Sequence, residues 1–314
     1  MPKNKKATLL VTGALGHIGS QLIRDIDTKL VSEVRMLDNL ESQRYCSLFH
    51  LPLKLKYRFA QEDIRTGDID RYLEGVDLVM HLAAITNAEA SHERQKEVEE
   101  VNFDGLKRVA ESCLKKDIKI LFPSTTSVYG SQASVVDETC EELKPQSPYA
   151  EAKLASEKLL TEMAAKGLKH ISCRFGTIFG PSVGMRFHTA VNKFMWQAMT
   201  GQPITVWKTA WKQRRPYLDL RDCIASINFI LEKDLFEGGL YNVLTRNFTV
   251  EDIVTTIREL IPGLQVAYVD SPIMNQLSYD VDDAKFRKLG FSPSGDLREG
   301  LRATLEHFKQ IVER

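Results

Sequence analysis

The chain has 314 residues, and its 42 lysines and arginines balance its 42 aspartates and glutamates, so its formal net charge is zero. This balance predicts neither a nucleic-acid partner nor binding to an anionic membrane, and no apolar run approaches the roughly 20 residues of a membrane helix. The five cysteines lack CxxC spacing and the histidines lack a zinc pattern, so we expect a cytoplasmic protein without a metal site.

Apolar runs of strand length alternate with amphipathic helical stretches through the first half of the chain. The predicted strands are residues 7–12, 33–37, 54–59, 78–81, 118–122 and 169–175. The predicted helices are residues 17–27, 92–114 and 149–165. This alternation is typical of βαβ units, so we predict an α/β protein with a Rossmann-type, doubly wound parallel sheet.

The alternation loosens after about residue 176, where a Gly/Pro/Ser segment precedes a predicted helix at residues 190–199. We therefore predict a first domain of residues 1–175 and a smaller C-terminal α/β lobe of residues 176–314, parts of which return to the first domain. A cleft between two lobes is the natural place for a ligand.

Three glycines, Gly13, Gly16 and Gly19, lie where the first predicted strand meets the first helix. Glycines there allow a sharp turn and let backbone N–H groups approach a pyrophosphate at the helix N-terminus, although they also mark ordinary turns. Asp38, nineteen positions after Gly19, stands where a carboxylate accepts ribose hydroxyls and repels a 2′-phosphate. The pattern predicts NAD, with a turn aspartate as the alternative and nearby Arg44 keeping NADP open.

Tyr149 and Lys153 are one helical turn apart and can converge on one point. A phenol ionises near pH 10, and a lysine charge about 4 Å away is worth roughly three pK units, enough to make it a proton shuttle near neutrality. The alternative is a solvated helix start with no chemistry.

Short motifs occur along the chain in a set order: Thr12-Gly-Ala-Leu-Gly-His-Ile-Gly19, Leu37-Asp-Asn39, Glu62-Asp-Ile-Arg65, His81-Leu-Ala-Ala84, Asn102, Phe122-Pro-Ser-Thr-Thr-Ser-Val-Tyr-Gly130, Pro148-Tyr-Ala-Glu-Ala-Lys153 and Arg215-Pro-Tyr-Leu-Asp-Leu-Arg-Asp222. In these motifs nearly the whole chain resembles the extended short-chain dehydrogenase/reductase family, in its branch of nucleotide-sugar epimerases and dehydratases. The resemblance implies NAD contacts from Gly13, Leu15, Gly16, His17, Ile18, Gly19, Asp38, Asn39, Asp63, Ile64, Leu82, Ala83, Ala84, Asn102, Tyr149 and Lys153. Asp63 and Ile64 would contact the adenine, and Asn102 would play a supporting role.

The resemblance also places Thr125 as the catalytic hydroxyl beside Tyr149 and Lys153. Similar 4,6-dehydratases carry an Asp-Glu pair at the next two positions, but this chain has Thr126 and Ser127, which cannot act as acid or base near pH 7. In having hydroxyl side chains at these two positions, the chain resembles a 4-epimerase.

Substrate contacts are expected from Ser124, Thr126, Thr177, Arg186, Asn192 and Arg215. By resemblance, Arg215 clamps a pyrophosphate and Asn192 contacts a diphosphate, while Arg186 meets either a phosphate or a carboxylate. Trp207 and Trp211 replace the family's glycine-rich loop, where they either stack on a nucleobase or pack the lobe.

The implied function is an NAD-dependent nucleotide-sugar 4-epimerase that oxidises C4 transiently. The alternatives are a 4-dehydrogenase or 4-ketoreductase with exchangeable NAD(P), a less favoured 4,6-dehydratase, and a non-catalytic NAD-binding regulator. The expected partners are a nucleotide-diphosphate sugar and a second copy of the chain, the homodimer forming through helices 92–114 and 149–165. The base and the sugar are left open.

Overall fold

The computed structural model describes residues 6–270 and 278–309. Its strands are β1 (Ala7–Thr12), β2 (Val31–Asp38), β3 (Lys56–Gln61), β4 (Leu78–His81), β5 (Lys119–Thr125), β6 (His170–Phe175), β7 (Thr177–Phe179), β8 (Ile204–Trp207), β9 (Arg214–Asp219), β10 (Glu237–Val243), β11 (Arg246–Thr249) and β12 (Val266–Val269). Its α-helices are α1 (His17–Asp25), α2 (Ile69–Tyr72), α3 (Gln95–Glu99), α4 (Gly105–Lys116), α5 (Pro148–Ala164), α6 (Ala190–Met199), α7 (Leu220–Lys233), α8 (Val250–Leu260), α9 (Ala284–Arg287) and α10 (Leu297–Phe308).

A parallel seven-stranded sheet forms the centre of the protein, in the order β10-β6-β5-β4-β1-β2-β3. The chain winds outward from β1 in both directions, so the strand order reverses between β1 and β4. This confirms the predicted Rossmann-type fold, and in such sheets ligands bind beyond the carboxyl ends of the strands at the reversal point. The bounds of β3 differ from the prediction, because the strand begins and ends two residues later in the sequence than expected.

Helices cover both faces of this sheet because successive strand residues point to opposite sides. In β1, Leu9 packs into a core with α1 and α7, whereas Leu10 packs into a second core with α4 and α5. The sheet is therefore buried on both sides, and its strand ends provide the accessible edge for chemistry.

The predicted helix at 92–114 is interrupted. A π-helical turn, Glu100–Asp104, separates α3 from α4. Single π-helical turns within α-helices occur frequently at functional sites. This one contains the buried Asn102.

The C-terminal half is shared between the two parts of the molecule. A three-stranded sheet (β11-β9-β7), a two-stranded sheet (β12-β8) and helices α6, α8 and α10 surround a core of their own. By contrast, β10 pairs with β6 in the central sheet, and α7 packs against α1. Among the described residues, no helix is long and apolar enough to cross a membrane.

Candidate active site

A cleft of about 320 Å³ lies between the two lobes, beyond the carboxyl ends of β4, β5 and β6. Its wall on the side of the central sheet includes Ile18, His81, Leu82, Ala84, Pro123, Ser124, Thr125, Ser127, Tyr149 and Lys153. Its opposite wall includes Thr177, Arg186, His188, Lys193, Trp207 and Arg215. The structure thus brings the three predicted catalytic residues to one wall.

The glycine turn has the geometry that a dinucleotide diphosphate needs. Gly13 has φ +65°, and a Cβ there would lie 2.6 Å from the backbone nitrogen of Ala83. A Cβ at Gly16 would lie 3.3 Å from the backbone oxygen of Gly13 and 3.9 Å from the Arg44 guanidinium, so a side chain would be crowded there. Gly16 is also the N-cap of α1 and offers no side-chain acceptor, so the first N–H groups of α1 are available to an anion.

Asp38 lies at the end of β2, beside this turn. Its Oδ2 accepts a hydrogen bond from Leu15 N at 3.0 Å, and its Oδ1 accepts one from Leu40 N at 2.9 Å. The carboxylate is therefore held rigidly while each oxygen keeps a lone pair for a ribose hydroxyl. The partly buried Arg44 feels the attraction of this carboxylate, although burial lowers the pKa of the guanidinium.

The two predicted adenine contacts, Asp63 and Ile64, have different surroundings in the structure. Asp63 is bound by Arg65, with 2.8 Å between Nη2 and Oδ2, and by Asn39 Nδ2 at 3.2 Å. The Arg65 hydrogen bond is the main reason that the pKa of Asp63 falls to about 2. The side chain of Ile64 is buried in the α4 core against Gly105, so its main chain is left to make the predicted adenine contact.

Basic groups gather above the glycine turn. Burial holds the pKa of His17 well below its usual value, and repulsion from Arg186 and Arg44 lowers it further. The buried His17 bonds Ser182 Oγ through Nδ1 at 3.0 Å, while its Nε2 has no hydrogen-bond partner among the described residues. This positive field suits the phosphates of a dinucleotide, so the site fits NAD.

The predicted segment Leu82–Ala84 continues from β4 along the cleft floor. Asn102 holds it in place: its Oδ1 accepts from Ile85 N at 2.8 Å and its Nδ2 donates to Ile85 O at 2.9 Å. Both ends of the amide are therefore used on the backbone, which gives Asn102 a supporting position behind the cofactor site.

Tyr149 is presented to the cleft by the first turn of α5. Ser147 caps this helix by accepting from Ala150 N at 3.2 Å, and Pro148 occupies the position where its missing N–H costs nothing. Thr125, at the end of β5, lines the same wall close enough to influence the pKa of the Tyr149 phenol, and its hydroxyl contacts Ser127 Oγ at 3.1 Å. The hydroxyl and the phenol predicted as partners thus lie on one wall of the cleft.

The electrostatics of Tyr149 differ from the sequence expectation. Burial raises the pKa of the phenol, and the opposing influences are the positive charge of Arg186 and the Thr125 hydrogen bond. Lys153 instead donates to Pro123 O at 2.7 Å and lies 4.4 Å from the centroid of the Phe122 ring. Its own pKa falls to about 7 because it is buried, with Glu157 opposing the shift.

The predicted substrate contacts near β5 and β6 are divided between the cleft and the interior. Ser124 and Thr177 lie on the cleft wall. Thr126 is buried and donates to Phe175 O at 3.3 Å. The structure therefore directs Thr126 into the protein, which differs from its predicted contact with substrate.

In the second lobe, Arg186 and Arg215 reach the cleft, but Asn192 does not. Asn192 is fully buried, donates to Arg186 O at 3.0 Å and accepts from Gly180 N at 3.3 Å. Its role is to hold the loop that carries Arg186, in place of the predicted diphosphate contact.

The two tryptophans also separate. Trp207 lines the cleft, whereas Trp211 packs edge-on against Tyr268 with 5.6 Å between ring centroids. Only Trp207 is placed to meet a nucleobase.

Sequence reasoning missed two buried residues behind the wall, Glu157 and Arg174. Glu157 was detectable in principle, since it follows Lys153 by one further helical turn and shares its face. Nothing in the sequence pairs it with Arg174 on β6, because their contact depends on how α5 lies across the sheet.

Comparisons with known proteins identify the family of the chain. The NAD dependent epimerase/dehydratase family matches residues 9–243. The Arabidopsis thaliana trifunctional UDP-glucose 4,6-dehydratase/UDP-4-keto-6-deoxy-D-glucose 3,5-epimerase/UDP-4-keto-L-rhamnose-reductase RHM3 is 30% identical over 336 residues, covering 100% of this chain and 49% of the plant protein. The chain thus spans about half the length of that relative.

Two solved structures are similar over almost the whole chain. A UDP-N-acetylglucosamine 4-epimerase from Methanobrevibacter ruminantium M1, in complex with UDP-N-acetylmuramic acid, has a TM-score of 0.87 and 25% identity, covering 98% of this chain and 100% of that one. A UDP-glucuronic acid 4-epimerase from Bacillus cereus, in complex with UDP-glucuronic acid and NAD, has a TM-score of 0.85 and 25% identity, covering 97% and 99%.

Proposed function

Because the chain belongs to the NAD dependent epimerase/dehydratase family of nucleotide-sugar enzymes, we propose that it is an NAD-dependent nucleotide-sugar 4-epimerase. The observation that carries this proposal is the placement of the Tyr149 phenol, the Thr125 hydroxyl and Lys153 together on one wall of the cleft. Bound NAD supplies the acceptor and donor of the hydride at C4.

The residues of the chain handle the proton. Thr125 donates a hydrogen bond to the sugar oxygen at C4, and Tyr149, once its phenol is ionised, takes the proton of that hydroxyl and later returns it. Arg186 stabilises the phenolate, since its charge opposes the effect of burial on the pKa of Tyr149. Epimerisation also requires the 4-ketosugar to turn over within the cleft, so that the hydride returns to its other face.

Dehydration would need an additional acid and base. Thr126 and Ser127 offer neither, and of the cleft-lining residues that the structure describes, only Glu89 carries a carboxylate. Glu89 is exposed at the cleft rim, on the segment after β4. This arrangement favours reversible oxidation at C4 over loss of water.

The test is incubation with UDP-, GDP-, CDP- and dTDP-hexoses, followed by NMR of the products. We expect a C4 epimer with no net NADH, and a loss of at least about a hundredfold in turnover for Tyr149→Phe, with nucleotide binding retained. Stoichiometric NADH formation would instead identify a 4-dehydrogenase or 4-ketoreductase. Full turnover by a folded Tyr149→Phe protein would exclude the assigned chemistry.

We propose further that the sugar carries a carboxylate. Arg186 lines the same cleft as Tyr149, and its Nε has no hydrogen-bond partner among the described residues. Burial lowers the pKa of this guanidinium, with Arg44 adding to the effect, so an anionic ligand group would relieve a real cost. The two similar epimerase structures contain UDP-glucuronic acid and UDP-N-acetylmuramic acid, and both of these sugars are acidic.

The same assay decides this point when UDP-glucose is compared with UDP-glucuronic acid. Arg186→Met should lower kcat/KM for the acidic sugar by at least about tenfold more than for the neutral one, since a charged hydrogen bond is worth about 1.5–3 kcal/mol. Lys193→Met, which removes another cleft-lining cation, is the control and should affect both sugars equally. An equal loss for both sugars with Arg186→Met would mean that Arg186 acts on a phosphate or on Tyr149 and does not bind a sugar carboxylate.

Assembly as a homodimer through α3–α4 and α5, and a cytoplasmic location, stay predictions. Sedimentation of the purified protein tests the first of these, and a monomeric profile would reject it.

A further inference from the structure

A buried ion pair lies directly behind the catalytic wall. Glu157 and Arg174 are 6% and 3% exposed, respectively. The guanidinium binds the carboxylate through two bonds, Nε to Oε1 at 3.0 Å and Nη2 to Oε2 at 2.7 Å. The reaction described above uses neither residue, so the pair calls for a separate explanation.

This ion pair reaches the cleft through Ser124. The Ser124 hydroxyl donates to Glu157 Oε1, and Ser124 itself lines the cleft next to Thr125. With its proton committed to Glu157, the hydroxyl presents only lone pairs to a ligand. Glu157 therefore determines which hydrogen bonds this part of the wall can make.

Glu157 also acts on Lys153, which precedes it by one turn on the same face of α5. Lys153 is 4% exposed and makes its hydrogen bond to a carbonyl, Pro123 O. Burial lowers the pKa of Lys153 to about 7, and Glu157 is the charge that opposes the shift. Among the described residues, Glu157 is the negative charge that helps the ammonium to retain its proton.

We propose that Glu157, held in place by Arg174, is a positioning residue that keeps Lys153 protonated and holds the proton of the Ser124 hydroxyl away from the cleft. Arg174 fixes the carboxylate through its two-pronged bond and is itself braced over the Tyr129 ring, 4.8 Å from the centroid. This proposal deepens the proposed epimerase mechanism and rests on it only where turnover is measured.

Other titratable groups around Lys153 do not supply this function. His81 on β4 is buried, and burial together with the charge of Lys153 lowers its pKa to about 3, so it is neutral. Tyr149 on α5 is protonated near neutrality, because burial raises its pKa. On β6, Arg174 is a cation whose pKa is raised because its attraction to Glu157 outweighs burial.

The direct test is an NMR titration of Lys153 in protein labelled with 13C-lysine and stripped of nucleotide, with the Cε signal assigned by its loss in Lys153→Met. We expect a midpoint near pH 7 in the parent, and one lower by about one unit or more in Glu157→Gln. The decrease in kcat at alkaline pH should begin at a pH lower by the same amount, because Lys153 in Glu157→Gln loses its proton earlier as the pH rises. Glu157→Asp should largely restore both values.

Glu157→Gln leaves Arg174 buried without its partner and can prevent folding, so a second variant is needed. Glu157→Leu combined with Arg174→Leu replaces the pair by apolar side chains, which buried sites often tolerate. This double variant should fold but still show the lowered Lys153 midpoint. If it restores stability and the parental midpoint together, the pair is only structural and the proposal fails.

A control pair lies at the opposite end of β5, where Lys119 binds Asp234. Asp234→Asn should leave the Lys153 midpoint unchanged. An unchanged midpoint in folded Glu157→Gln would overturn the proposal whatever the sugar assays show. A shifted midpoint in a protein that epimerises none of the sugars would support the proposal while removing the proposed function.

Discussion

Lys153 is placed where it costs stability, and replacing it should make the protein more stable while abolishing its activity. The pKa of Lys153 falls from 10.5 to about 7 on folding because the ammonium is buried. Between these two values the unfolded chain binds more protons than the folded one, so the stability of the parent rises with pH through this window. The cost of burying the charge is therefore full below pH 7 and disappears above about pH 10.5.

The size of the effect follows from the same shift. At pH 7 the folded state gives up about 4 kcal/mol of protonation free energy, and at pH 9.5 about 1.5 kcal/mol. Lys153→Met removes this cost but also loses the 2.7 Å hydrogen bond to Pro123 O, worth about 1.5–3 kcal/mol. We expect a net gain of about 1–2.5 kcal/mol at pH 7 and no gain, or a small loss, at pH 9.5.

The assay is thermal unfolding of the nucleotide-stripped protein at both pH values. The advantage of Lys153→Met over the parent should shrink by about 3 kcal/mol between pH 7 and pH 9.5, or roughly 6 °C in Tm at about 2 °C per kcal/mol. Lys158→Met is the matched control, because Lys158 is exposed on the same helix and should change stability by less than about 0.5 kcal/mol at either pH. A Lys153→Met protein that is destabilised equally at both pH values would refute the reasoning.

Two further predictions concern the cofactor turn. Gly13→Ala should cost more than about 3 kcal/mol in unfolding free energy, because a Cβ would lie 2.6 Å from Ala83 N at φ +65°. Gly201→Ala, at φ +71° with no atom within 4 Å of the added Cβ, tests strain alone and should cost about 1 kcal/mol. Equal losses would show that close packing at Gly13 is unimportant. Asp38→Asn should weaken NAD binding by about tenfold or more and narrow the preference for NAD over NADP in calorimetry, because the amide replaces one acceptor by a donor. An unchanged preference for NAD over NADP would show that Asp38 does not contact the ribose.

The fold and the position of the catalytic wall could be predicted from the sequence because they depend on local regularities. Alternating apolar runs and amphipathic stretches predicted the parallel sheet, and that sheet is observed. The i, i+4 spacing of Tyr149 and Lys153 needs only a helix to bring them to one face, and the glycine turn needs only a strand followed by a helix.

Other features depend on contacts between distant parts of the chain and could not be read from the pattern. Family resemblance predicts a diphosphate contact for Asn192, yet the path of the 180–186 loop directs both ends of its amide to the backbone. Ile64 lies in a cofactor-like motif, but the packing of α4 at Gly105 draws its side chain into the core.

Tyr149 and Lys153 show the same division. The sequence by itself determined that a phenol and an ammonium share one helix face at the edge of a Rossmann-type sheet. Only the tertiary structure decided their charges, because a pKa depends on burial and on partners brought from elsewhere in the chain. Thus Lys153 is turned to Pro123 O and balanced by Glu157, while Arg186, from the other lobe, is the cation that opposes burial at Tyr149.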